Sequence, residues 1–447
     1  MSVRNLARRT TVLLAAGTAT VLLGAQPTLG AGDDIVLGKP IKIELPAVPP
    51  GGLHPVQKAA VKGASAQSCQ DLSRKVAAER VQNPGNRADA SYLCDGSLSD
   101  LAALSPAPMK TAGPTTQVVW CTTQDEGTPI VWSYRSRGEA CNSRFAFTIS
   151  FNTRTGFDEV AVMVYEHEIV TVTSGPIWFD DVKLTFVAYT GEFSTVEVDA
   201  ATECGCVIEG DDHAWGGFLP INLGQTLTGD FGYSWLQQQS IEYIGDWIFT
   251  YEGQRPGVIS IGPASEPGPD SLRCDTVVNG SVSACVFTAW TPELQVPVGV
   301  YGPAALNVAF ANYYLPDGWG YLQPIARLAD PNEQRANRDW VCNDGTFVRY
   351  PDFVPDDSCD EYPFAASYMS ARFLGVPGAD CAEIMVLFNG STGNYDLYEV
   401  RKPLTYAERC VRGHVQLSLN EGVGGLLGSF TRTQRLLDGD YYYVYAV

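Results

Sequence analysis

A chain of 447 residues carrying 30 basic and 50 acidic residues, a formal charge of −20, is too long for one hydrophobic core and too acidic to be held on a polyanion by bulk electrostatics. A polyanionic substrate would need a local basic groove or a bound cation. Beyond the N-terminus no run approaches the ~20 apolar residues of a membrane span, which excludes a helical membrane protein.

Arg4, Arg8 and Arg9 precede the apolar run TTVLLAAGTATVLLGA, Thr10 to Ala25, and small residues follow at Gly30-Ala31-Gly32. Residues 1–31 therefore read as a secretory signal peptide, cut after Ala25 or Ala31, with Arg8-Arg9 fitting a twin-arginine route. The expected product is extracellular and bacterial. Residues 32–114 read as a pro-segment or linker, or as partly helical over 56–81.

Twelve cysteines, at 69, 94, 121, 141, 204, 206, 274, 285, 342, 359, 381 and 410, all follow the signal, and the even count predicts disulfides. Neighbour pairing (69 with 94, 121 with 141, 274 with 285, 342 with 359, 381 with 410) leaves Cys204 to Cys206, a strained bridge across one residue, and cross-pairing among Cys121, Cys141, Cys204 and Cys206 is the alternative. Zinc is the rival reading; Cys204-Gly-Cys206 is its best fragment, without a second pair at finger spacing.

From 115 to 265 the period changes to two. Phe145, Phe147, Ile149 and Phe151 alternate with smaller or polar residues, similar runs follow at 160–172 and 182–193, and turn residues separate them. An all-β domain, an antiparallel sandwich or barrel, is expected. Alternation within Glu166-His167-Glu168 sets the acids opposite the imidazole and predicts a surface histidine. Asp211-Asp212-His213 is a minor cation candidate, and Trp235, Trp247, Trp319 and Tyr321 are core aromatics or a glycan-binding surface. Residues 266–322 read as linker and strands of open assignment.

Residues 323–447 are mixed α+β: a polar start, an acidic loop at Cys359, strands at 382–388, 395–400 and 414–419, a Gly-rich helix over 421–434 and a last strand at 441–447. In SCDEYPFAAS, Asp360 and Glu361 sit between a half-cystine and Tyr362-Pro363. Such a pair serves as hard ligands for a divalent cation, as a general base, or as a solvated turn. Clamping by the disulfide and the proline is how a preorganised site is built. Asn420 and Glu421 stand where a strand passes into a helix, so they either cap that helix or hold a cation beside a phosphate. Arg432 and Arg435 are phosphate candidates, and His414 is a reserve base.

CDEYPFA (359–365), RANR (335–338), RLLDGDYYYV (435–444) and Asn420 followed by Gly424-Gly425 together resemble the NucA/NucB deoxyribonuclease domain of secreted bacterial nucleases. The resemblance spans roughly residues 323–447. It implies a ββα-metal nuclease that hydrolyses DNA phosphodiester bonds with one divalent cation, Mg²⁺ or Mn²⁺. It implies Asp360 as the base, Glu361 as a ligand or its neighbour, the metal near Asn420 or Glu421, and Arg338 and Arg435 on phosphate. An inhibitor protein or cell-surface polymer would engage the β domain.

Two features depart from that pattern. The stretch 367–413, with Cys381 and Cys410, is long and reads as a bridged hairpin on the rim. Residues 331–447 hold 16 acidic and 10 basic residues, a net of −6, so Arg335, Arg338, Arg372, Arg432 and Arg435 would have to converge to hold DNA. The alternative is a secreted adhesion or binding protein built on an inactive nuclease-like scaffold.

Overall fold

The computed structural model describes residues 39–49, 52–61, 69–82, 90–95, 110–111, 120–121, 130–151, 158–172, 175–192, 194–260, 263–278 and 282–447. The expected signal peptide lies outside them. The short segment Gln57–Ala60 is a strand and helix α1 begins only at Cys69 (Cys69–Gln82), so the helix expected over 56–81 is partly replaced by β-pairing to Val131–Ser136.

Period-two sequence builds the first core. Strands β1 (Glu139–Phe151), β2 (Asp158–Thr171) and β3 (Ile177–Tyr189) form an antiparallel ladder within a ten-stranded sheet. A four-stranded sheet containing β4 (Thr195–Glu203) and β5 (Ile248–Gln254) faces it. Trp132, Trp178, Phe186, Val196, Val198 and Phe249 are buried in this β-rich region, the packing of a sandwich. Trp235 and Trp247 belong to the same core, so neither forms a glycan-binding surface.

His167 is buried, not exposed. It points between the sheets, with Nδ1 2.7 Å from Asp180 Oδ2 and Nε2 bonded to the Tyr251 hydroxyl. A buried imidazole is tolerable because both ring nitrogens have partners.

The stretch 266–322 divides between two cores. Leu272–Asp275 and Ala284–Phe287 pair in the β region, whereas β6 (Glu293–Val296) and helix α2 (Val298–Tyr314) join the second core. The helix was hidden because PAALNVAFA is apolar around its whole circumference, as a helix covered on all sides must be.

Helix α3 (Pro331–Cys342) follows, its first turn capped by Asp330 Oδ1, which accepts from the N–H of Asn332 and Glu333. Strands β7 (Asp357–Tyr362), β8 (Ala382–Asn389), β9 (Asn394–Glu399) and β10 (Val411–Gln416) form a sheet in the order β7-β10-β8-β9. Helix α4 (Leu417–Thr433) continues directly from β10, and β11 (Tyr441–Ala446) pairs parallel with β6. The long stretch after Ser367 is no rim hairpin, since β8 lies beside β10 in mid-sheet with the Cys381–Cys410 bridge buried beneath it.

All twelve cysteines pair with sequence neighbours: 69–94, 121–141, 204–206, 274–285, 342–359 and 381–410. The alternative cross-pairing is therefore set aside, because Cys204 and Cys206 lie close together at the end of β4. With every sulfur bridged, none is a thiolate for zinc. Among the described residues no helix is long and apolar enough to cross a membrane.

Candidate active site

The acidic stretch is a strand rather than a loop. Cys359, Asp360 and Glu361 pair with His414, Gly413 and Arg412 of β10. Successive side chains of a strand take opposite faces, and the contacts obey this rule. Asp360 and Tyr362 meet Asn307 and Asn312 of α2, whereas Cys359 and Glu361 meet Cys342 and Arg338 of α3.

Asp360 Oδ2 accepts from Asn307 Nδ2 at 2.8 Å, and the carboxyl is only 7 % exposed. Burial pushes its pKa up to about 7; the Asn307 N–H opposes the rise and the neighbouring Glu361 charge adds to it. Asn420 lies on the same side of the sheet, where its Nδ2 donates to Cys359 O at 2.9 Å and Ser358 Oγ at 3.2 Å. It is no cap: α4 starts three residues earlier, behind Gln416, so Asn420 sits inside the first turn and faces the sheet. Glu421, the next residue, is exposed.

Glu361 is on the other face. It is buried, and burial raises its pKa to about 7 against the opposing charge of Arg338, whose Nε lies 3.5 Å from Oε1. The sulfurs of Cys342 and Cys359 and an oxygen of Glu361 lie within 4.8 Å of one another, but bridged sulfurs offer no thiolate, leaving Glu361 as the one hard donor there. Asp360 and Glu361 thus do not converge on a single ion.

The oxygen donors expected to hold a divalent cation, Asn420 and Glu421, belong to the helix on the Asp360 face. Asn420 spends its Nδ2 on the strand, which leaves its amide oxygen as a hard donor, and the exposed Glu421 carboxylate follows it in the helix; oxygen donors of this kind suit Mg²⁺ or Mn²⁺.

Two sequence candidates are removed. Arg435 is buried, with Nη2 2.6 Å and Nε 3.1 Å from the Asp275 carboxylate, so it holds the two cores together rather than a phosphate. His414 is buried with Nδ1 2.8 Å from Asp357 Oδ2 and Nε2 3.3 Å from Glu383 Oε1, and it stacks on Phe347. Burial lowers its pKa, but its two carboxylate partners outweigh that and raise it overall, so it is no free base. Arg412, opposite Glu361, extends this network to Glu383 and Asp344.

Of the phosphate candidates, Arg338 keeps its side chain 58 % exposed but on the Glu361 face of the sheet, across from Asp360, and Arg335 and Arg432 are exposed. Arg372 is engaged by Glu333 at 2.5 Å, so the five arginines do not all remain available. Asn307 was missed; a lone amide within an apolar run is the signal that would have found it. Comparison of the chain with family models, with curated proteins and with solved structures returns no match in any of the three.

Proposed function

We propose that the protein is a secreted, divalent-metal-dependent endonuclease that hydrolyses DNA phosphodiester bonds, with the C-terminal α+β region acting as a ββα-metal nuclease of the NucA/NucB kind. One observation carries this reading. Strand β7, its ladder partner β10 and the helix α4 that continues from β10 set Asp360, a carboxyl poised near neutrality, on the same face as Asn420 of the helix.

A base with a pKa near the working pH combines the correct protonation state with driving force for proton transfer. In the proposed step Asp360 takes a proton from water, the water oxygen forms a bond to phosphorus, and the bond to the leaving oxygen breaks. The leaving oxygen takes a proton from solvent water, and Asp360 then returns its own proton to solvent. Asn420 and Glu421 would hold the cation, which when bound polarises the scissile phosphate and offsets charge on the leaving oxygen. Arg338, exposed on the far face of the sheet and paired with Glu361, would meet a phosphate farther along the DNA rather than the one being cut. The six disulfides agree with an oxidising, extracellular setting.

The test is nicking of supercoiled plasmid by the full chain with Mg²⁺ or Mn²⁺, against chelator, for wild type and Asp360→Asn. Metal-dependent nicking lost in the variant supports the reading. A second reading, a binding or adhesion protein on an inactive scaffold, draws on the low exposure of Asp360. Absence of cleavage with every divalent metal tried would select it.

A further inference from the structure

Two asparagines interrupt the apolar sequence of α2, and both reach β7. Asn312 stitches backbone: its Nδ2 donates to Trp319 O at 2.6 Å and Val444 O at 3.2 Å. Asn307 is different. It is 1 % exposed, its N–H goes to the Asp360 carboxyl, and its own Oδ1 is buried with no partner. An unsatisfied buried acceptor is destabilising, so packing alone would favour another Ala or Val at this position.

The strand opposite makes room for this amide. Gly413 of β10 is the ladder partner of Asp360, and a Cβ at 413 would overlap the Asn307 amide. Three separate elements, α2, β7 and β10, thus arrange a single hydrogen bond at a single carboxyl. Because the donor occupies Oδ2, the oxygen left to take up a proton is Oδ1.

We infer that Asn307 is a positioning residue for Asp360: it fixes the carboxyl plane and directs basicity to one oxygen, with Gly413 as the vacancy that admits it. The inference rests on reading Asp360 as the base. Its N–H stabilises the charged form, so its loss raises the pH at which Asp360 ionises.

The test uses full-length protein labelled with [γ-¹³C]aspartate, the Asp360 signal being assigned with Asp360→Asn. Asn307→Leu and Gly413→Ala are each expected to move the Asp360 titration midpoint upward by about one pH unit, tenfold in acidity. The acid limb of the plasmid-nicking profile should move by the same amount, with kcat falling, KM little changed, and the rate recovering at higher pH. Asn307→Ser, a shorter donor, should restore part of the shift. If wild type does not cleave DNA while the midpoint still moves, the nuclease reading fails and the positioning role stands. An unmoved midpoint in the folded variants overturns the inference, whatever the activity.

Discussion

Arg435 and Asp275 meet as a two-pronged ion pair across the junction of the two cores, with Nη2–Oδ1 at 2.6 Å and Nε–Oδ2 at 3.1 Å. Arg137 and Arg273, both from the β region, converge in the same place on Asp440, at 3.1 and 2.9 Å. Removing one member of a buried pair leaves the other charged and unsolvated. Arg435→Ala is therefore expected to destabilise the protein by roughly 3–5 kcal/mol in urea unfolding. The double variant Arg435→Met/Asp275→Leu should recover most of that loss, and nicking per folded molecule should survive in it.

Asp360 and Glu361 give stability a pH dependence whose sign is fixed. Their folded pKa values, about 7 each, lie above the ordinary 3.8 and 4.5, so their contribution is fully present below about pH 4 and is lost as pH rises through 7. For Glu361 the shift corresponds to on the order of 3 kcal/mol. Wild type should be less stable at pH 8 than at pH 5 in urea unfolding, and Glu361→Gln should flatten the slope. An unchanged slope would contradict the burial described for Glu361.

The same carboxyl sets the activity profile. If Asp360 is the base, nicking rises with pH through about 7. Asp360→Asn should lower the rate by about 10²- to 10⁴-fold while retaining cooperative unfolding.

His414 lies under the sheet between Asp357 and Glu383. Its raised pKa means its stabilisation is complete below about 6.5 and declines as pH rises through the folded value. His414→Ala removes the cation paired with Asp357, while Glu383 keeps Arg412, and a loss of roughly 3 kcal/mol is expected by thermal or urea unfolding.

A fragment of residues 323–447 lacks α2, whose Ala304 to Ala311 stretch is buried in the second core, and lacks β6, the parallel neighbour of β11. Expressed alone it should show no cooperative unfolding transition by circular dichroism.

What was legible in the chain followed from short-range rules. The two-residue period around Phe145 showed the β region, and the cysteine spacings showed four of the bridges by neighbour pairing. Asp360 was picked out by its flanking half-cystine and Pro363. Partners set by long-range packing were not legible. Asp275 is 160 residues from Arg435 and Asn307 is 53 from Asp360. The face a strand residue takes also depends on where the strand begins, so reading SCDEYP as a loop concealed that Asp360 and Glu361 point apart.

The pairing of β6 with β11 makes the last strand a prerequisite for the rest. Residues near both ends of the chain also meet: Ile41 bridges Leu397, and Glu293 accepts from the N–H groups of Leu53 and His54 while bonding the Tyr445 hydroxyl. A nascent chain emerging in order from its N-terminus therefore has no complete second core until β11 is free of the ribosome. Loop closure over such separations slows folding. The order of synthesis itself thus delays assembly of the Asp360 site.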